Sequence, residues 1–203
     1  VASFIEQMTN AGFSYVDKKK QSLKKEFFPG YVWEVTLIDE SWDELYEVAF
    51  YVWSPLFGKL MINLFSDYEA IVSSYHSRIL EKNEKGCLSF SSISWDEGPS
   101  GDMELYAAGT YLNLNEFLKS LSSVNAPDDV YSLIYEGVAS KFAPPSELLW
   151  VYLYLLKEMG LSNLEILDKL ASEQENFPAK TLKPVDLTLL EAFEVSYNKA
   201  RGQ

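Results

Sequence analysis

Leu148 to Leu156 reads LLWVYLYLL, nine consecutive residues without a charge. A run this apolar has three homes: a membrane, a protein core, or a surface held for a partner. A membrane-spanning helix needs about 20 apolar residues, so the first home fails on length. A helix that is apolar on every side is ordinarily packed on more than one side. Pro144, Pro145 and Ser146 precede the run and supply a helix start with an N-cap. The segment is therefore expected as a buried helix, packed between a sheet and amphipathic helices over residues 162–173 and 186–199. A homodimer or partner interface is the alternative. Tyr152 and Tyr154 sharpen the choice, because buried hydroxyls need hydrogen-bond partners.

With 203 residues, 47% of them hydrophobic and 15% aromatic, the chain can build a core of its own. Cys87 is its single cysteine, which rules out an intramolecular disulfide and a multi-cysteine metal site and favours a reducing, cytoplasmic setting. The first residues do not follow the basic, apolar, small-residue order of a signal peptide. Net charge is −13, from 30 acidic and 17 basic side chains, which repels a nucleic-acid backbone. Lys18, Lys19, Lys20, Lys24 and Lys25 form one local exception, read as a solvated strand edge guarded against pairing with other chains.

Period-two alternation marks the strands. Tyr31, Trp33, Val35 and Leu37 share one face, as do Tyr46, Val48, Phe50 and Val52, and Leu60, Ile62 and Leu64 read the same way. A strand over 21–28 precedes them, with Pro29 and Gly30 at the turn, and two more are expected over 87–95 and 102–111. Trp33, Tyr51 and Trp53 alternate with apolar residues on both sides of their strands, so neither sheet face is fully wet. Helix starts are signalled by capping boxes at Ser3 with Glu6, Ser66 with Glu69, and Ser162 with Glu165. Asn113 with Glu116 and Asn125 with Asp128 are weaker versions of that signal, and everything beyond Asn113 reads as helix. The order predicts an α+β protein: an antiparallel sheet of five to six strands flanked by helices, with a helical C-terminal region packed on the sheet. Residues 1–125 are expected as the sheet domain and 126–203 as a helical extension packed on it, the two forming one compact unit.

Groups poised for catalysis are few. His76, the single histidine, lies within a helix predicted over 67–84, and an ordinary helix-boundary histidine is its expected role. No phosphate-binding loop, dinucleotide fingerprint, nucleophile elbow or zinc-binding helix motif occurs. Asp96, Glu97, Asp102 and Glu104 surround a hairpin loop whose Gly98, Pro99 and Gly101 suit a solvated turn better than a cation site. No cofactor and no metal are expected. The stretch Asp39 to Glu47, DESWDELYE, is different: Asp39, Glu40, Asp43, Glu44 and Glu47 surround Trp42 with no base among them. As a functional patch it is a docking surface for a basic partner, the acids speeding encounter and the indole serving as anchor. As an ordinary one it is a solubilising strand connection.

The element order resembles a known architecture. A helix, strands from Leu23 to Phe65, the helix SDYEAIVSSYHSRIL, the strands CLSFSSISW and DMELYAAGTYL, and the helix NEFLKSLSSV look like the α-βββ-α-ββ-α arrangement of type III secretion chaperones and the related YbjN-like proteins. The resemblance covers about residues 1–125 and leaves the helical segment from Pro127 outside it. It implies a small, acidic, non-enzymatic, usually dimeric protein that binds another protein chain. No motif matches residue by residue, so it assigns no site residues.

The function expected from the sequence is a non-catalytic, cytoplasmic protein-binding module, a chaperone or adaptor whose partner is basic or partly unfolded. An immunity or antitoxin protein masking a basic toxin is the first alternative, and a hydrolase using Asp96, Glu97 or His76 the second.

Overall fold

The computed structural model describes residues 2–17, 21–38, 46–75, 84–97, 103–107, 110–135, 148–172 and 183–203. Helix α1 (Ala2–Asn10) leads into strands β1 (Ser14–Asp17), β2 (Ser22–Phe28), β3 (Tyr31–Ile38) and β4 (Tyr46–Trp53). Helix α2 (Pro55–Ser73) separates these from β5 (Cys87–Glu97), β6 (Met103–Ala107) and β7 (Thr110–Asn113). Helices α3 (Leu114–Ser122), α4 (Pro127–Tyr135), α5 (Leu148–Glu158), α6 (Asn163–Ser172) and α7 (Leu187–Arg201) follow.

The chain is α+β, and its strands form one sheet in sequence order from β1 to β7. The neighbouring pairs β1–β2, β2–β3, β3–β4, β5–β6 and β6–β7 are antiparallel. Among the described residues the sheet has seven strands, where five to six were expected. The four-residue β1 is too short to show a periodicity, and the segment read as one strand over 102–111 contains two that pair with each other, Ala107 opposite Thr110.

The strand expected at Leu60–Leu64 is instead the middle of α2. Leu60, Ile62 and Leu64 alternate, but Phe57, Leu60, Met61 and Leu64 also recur at helical spacing, and these four carry the buried side chains of this stretch, with Gly58 buried among them. Ile62 is 54% exposed, the opposite of what a strand facing the core requires. The local sequence decides the matter: Ser54 is an extended N-cap whose side chain accepts from the Phe57 N–H, and Pro55 takes the first helical turn, where its missing N–H costs nothing. The helix start expected at Ser66 survives as a kink within α2, where Tyr68 has φ −134° and ψ 28°.

Two compact units arise from these elements, one from Val1–Trp53 with Ser89–Pro145, the other from Ser54–Leu88 with Ser146–Gln203. The sequence suggested a sheet domain over 1–125 with a helical extension over 126–203 packed on it as one compact unit; in the structure α2 groups with the C-terminal helices.

In the first unit, one sheet face is the core. Tyr31, Trp33, Val35 and Leu37 of β3 are buried, and register sets Leu23 and Phe50 on either side of Val35, with Val52 opposite Trp33. Helix α3 closes this face. Phe117 meets the Trp33 ring edge-on at 4.8 Å and the Phe50 ring at 5.5 Å, a geometry aromatic pairs favour. Asn113 caps α3, its Oδ1 accepting from the N–H groups of Asn115 and Glu116. At α4 the expected acid is off by one: Asp129, not Asp128, accepts from the N–H groups of Asn125 and Ala126 at 2.8 and 3.0 Å. In α1 the helix begins at Ala2, so Ser3 is not its N-cap, and Phe4 and Met8 form its buried stripe.

In the second unit, α5 carries the apolar run. Leu149 through Leu156 are each at most 2% exposed, so the run is spent on the chain's own interior. Burying each such side chain contributes roughly 1.5–3 kcal/mol. Trp150 stacks with Phe193 of α7 and meets Phe65 of α2 edge-on. The Tyr154 hydroxyl finds a partner in Ser54 Oγ at 2.8 Å. Helix α7 runs antiparallel to α2: near its start the Tyr75 hydroxyl, just past the end of α2, donates to Asp186, and near its end Lys199 Nζ reaches Asp67 at 2.7 Å. The expected capping box opens α6, Glu165 accepting from both the N–H and the hydroxyl of Ser162. Among the described residues no helix is long and apolar enough to cross a membrane.

Candidate functional site

Register turns alternate residues of β2, β3 and β4 away from the Trp33 core, and these residues make up the second face of the sheet. Glu34 lies opposite Lys24 on one side and Tyr51 on the other; Thr36 lies opposite Ser22, and Val32 opposite Trp53. All of them except buried Ser22 are half-buried. The face is neither a second core nor a solvated surface.

Its polar half is fully connected. Ser22 Oγ donates to Glu34 Oε1 at 2.8 Å, Thr36 Oγ1 donates to Ser22 Oγ at 3.2 Å, and Lys24 Nζ lies 3.2 Å from Glu34 Oε2. A carboxylate engaged at both oxygens is held in one orientation, as binding surfaces require. The other half is aromatic. The rings of Tyr51 and Trp53 stack at 5.4 Å with 16° between their planes, and Phe90 of β5 lies 4.9 Å from Tyr51. Half-exposed aromatic rings beside an ordered ion pair have the composition of an interface centre, where Tyr, Trp and fixed polar groups supply most of the affinity.

Of the acidic patch read from the sequence, Asp39, Glu40, Trp42, Asp43 and Glu44 lie outside the described residues. Glu47 is in β4, opposite Ile38. His76, Asp102 and Lys18 to Lys20 also lie outside the described residues, while Asp96 and Glu97 of β5 are opposite Glu104 and Met103. The remaining lysines of the basic stretch correct the edge-guard reading. Lys24 and Lys25 belong to β2, an interior strand with β1 outside it, and Lys25 Nζ donates to the Ala11 carbonyl at 2.7 Å. Cys87 is buried. The sequence singles out Tyr51, Trp53 and, within the basic stretch, Lys24, but not Glu34 or Phe90, and it does not bring these residues together, because a shared face depends on cross-strand register that one strand's alternation does not carry.

Comparison of the chain with protein-family models, with curated proteins and with solved structures finds no match.

Proposed function

We propose that this chain is a non-catalytic protein-binding module, an adaptor or chaperone that engages one cognate protein through the second face of its sheet. The observation that carries the reading is the half-buried row of Tyr51, Trp53 and Phe90 set against the Lys24–Glu34 pair. Aromatic rings give contact area at small entropic cost, and the fixed charges give orientation. The buried lone cysteine suits a reducing compartment, so the partner is sought among cytoplasmic proteins.

The test is recovery from native extract by the wild-type chain and by Tyr51→Ala and Lys24→Glu variants, with mass spectrometry of what is retained. The reading expects one stoichiometric protein held by the wild type and lost from both variants, whose circular dichroism is unchanged. Recovery that ignores both substitutions would sink it, as would a substrate that the purified chain turns over.

The net charge of −13 favours one more specific partner, a basic protein whose active surface the module masks, in the manner of an immunity protein. That version requires binding that collapses as salt is raised, since the attraction between exposed charges is screened within about 10 Å at 0.1 M salt.

A further inference from the structure

We propose that a groove on the helices of the second unit binds an acidic peptide segment bearing one aliphatic side chain. The groove, of about 500 Å³, lies where the last turn of α7 meets the first half of α2, and is lined by Lys59, Ile62, Asn63, Lys199, Arg201 and Gly202. It shares no residue with the sheet face, so the two readings fail separately.

Charge decides the occupant. On a chain of net charge −13, Lys59, Lys199 and Arg201 reverse the local sign around one apolar residue, Ile62. Lys59 and Ile62 are three apart on one face of α2, where such pairs are neighbours. The side chains of Lys199 and Arg201 are about half exposed. Both have acidic partners, Asp67 at 2.7 Å and the largely covered Glu158 at 3.6 Å; the Lys199 pair is open to water and weakly held, while Arg201, which also donates to the Tyr197 hydroxyl, is half exposed, so carboxylates of a bound peptide can share both cations. The negative end of α7 is muted as well. Gly202, at φ 77°, donates to the Lys199 carbonyl and Gln203 to that of Asn198, so terminal acceptors are satisfied within the chain. Ile62, 54% exposed, is the anchor point for an aliphatic side chain. A nucleic acid fits less well, since it offers phosphates without that anchor and meets the repulsion of the whole chain.

The experiment is fluorescence anisotropy of the full chain with fluorescein-labelled Glu-Glu-Leu-Glu-Glu, compared with Lys-Lys-Leu-Lys-Lys and Glu-Glu-Ser-Glu-Glu. The wild type is expected to prefer the first peptide, and Lys59→Glu to weaken it about tenfold, the scale of one lost charge contact. Ile62→Glu and the leucine-to-serine peptide are each expected to cost about as much through the lost anchor. Both substitutions replace exposed side chains, so the thermal melt should not move. The proposal is overturned by equal affinity for acidic and basic peptides, by affinity that ignores both variants, or by an unchanged serine peptide, which would mean bulk charge attraction alone. Self-association in light scattering that Ile62→Glu abolishes, without peptide binding, would assign the groove to a second copy and overturn it too.

Discussion

The hydroxyls of Tyr154 and Ser54 lie 2.8 Å apart in a buried setting, a hundred residues distant in sequence. The contact ties the apolar helix α5 to the cap of α2, because the same Ser54 oxygen accepts from the Phe57 N–H at 3.4 Å. The buried Ser54 hydroxyl at the start of α2 is thus satisfied twice. Tyr154→Phe is expected to destabilise the chain by about 1 kcal/mol, the net worth of one hydrogen bond. Ser54→Ala removes the helix cap as well and is expected to cost about 2 kcal/mol. Urea midpoints of the two single variants and the double variant check this; a double-variant loss equal to the sum of the singles would mean that the two groups do not interact.

Gly86 packs closely against the backbone at the start of α2. Its φ is 91°, and a Cβ added there would run into the carbonyl oxygen of Ser54, which already accepts from the Gly58 N–H at 3.1 Å. At Gly58 an added Cβ would meet Glu84 O and Gly86 N, each at 2.9 Å. Backbone atoms cannot yield as a flexible side chain can. Gly30 is the control, with φ 80° but no atom within 4 Å of an added Cβ. Gly30→Ala is expected to cost only the left-handed penalty, about 1–2 kcal/mol, and Gly86→Ala clearly more, because strain and collision combine. Equal melting temperatures for the two variants would contradict the close packing of Gly86 on Ser54.

Much of this fold is legible in the sequence, and the places where it is not share a cause. Alternation in β3 is clean because one residue set, Tyr31, Trp33, Val35 and Leu37, is buried while the other is half-buried. Side-chain caps at Asn113 and Ser162 are local chemistry and read directly. Residues 57–64 fit both periods, and Ser54 followed by Pro55 separates them only when given weight over alternation. The second face of the sheet was harder, since Glu34, Lys24 and Tyr51 come from three strands and meet only through register.

Lys157 on α5 shows what an ion pair at the rim of a core is worth. Its side chain is 5% exposed, and Nζ reaches Glu194 Oε1 at 2.9 Å, while Glu194 is 45% exposed and its other oxygen accepts from Asn163. Removing Glu194 strands a cation beside an apolar helix, whereas replacing the lysine by a hydrophobic residue removes the need for a partner. Glu194→Ala is expected to destabilise by about 2–3 kcal/mol, at the low end for a buried pair because water can approach from the Glu194 side. Lys157→Met is expected to cost less than half as much. Chemical denaturation that ranks the two variants the other way would show that the pair itself, not the burial of a lone charge, sets the energetics.

The second unit should lose stability at both ends of the pH scale, through different residues. On the acid side, the Tyr75 hydroxyl hydrogen bond holds the Asp186 carboxyl below its ordinary range, Lys199 does the same for Asp67, and the Ser162 hydroxyl and N–H do so for Glu165. A lowered folded-state pKa means that the contribution is in place above the unfolded value of about 4 and is lost as pH falls through the folded one. On the alkaline side the sign reverses. Burial, then the Glu158 carboxylate, pushes the Tyr197 hydroxyl up to about 12, and burial with Asp186 raises Tyr75. Below the unfolded tyrosine value of about 10 both states keep the proton and the contribution is complete. As pH rises toward 12 the unfolded chain releases the Tyr197 proton while the folded chain retains it, so stability drains away over that interval. Melting temperature against pH should therefore fall below about pH 4 and above about pH 10. Asp186→Asn should flatten the acid limb and Tyr197→Phe the alkaline one. An alkaline limb that is unchanged in Tyr197→Phe would place its origin in another group.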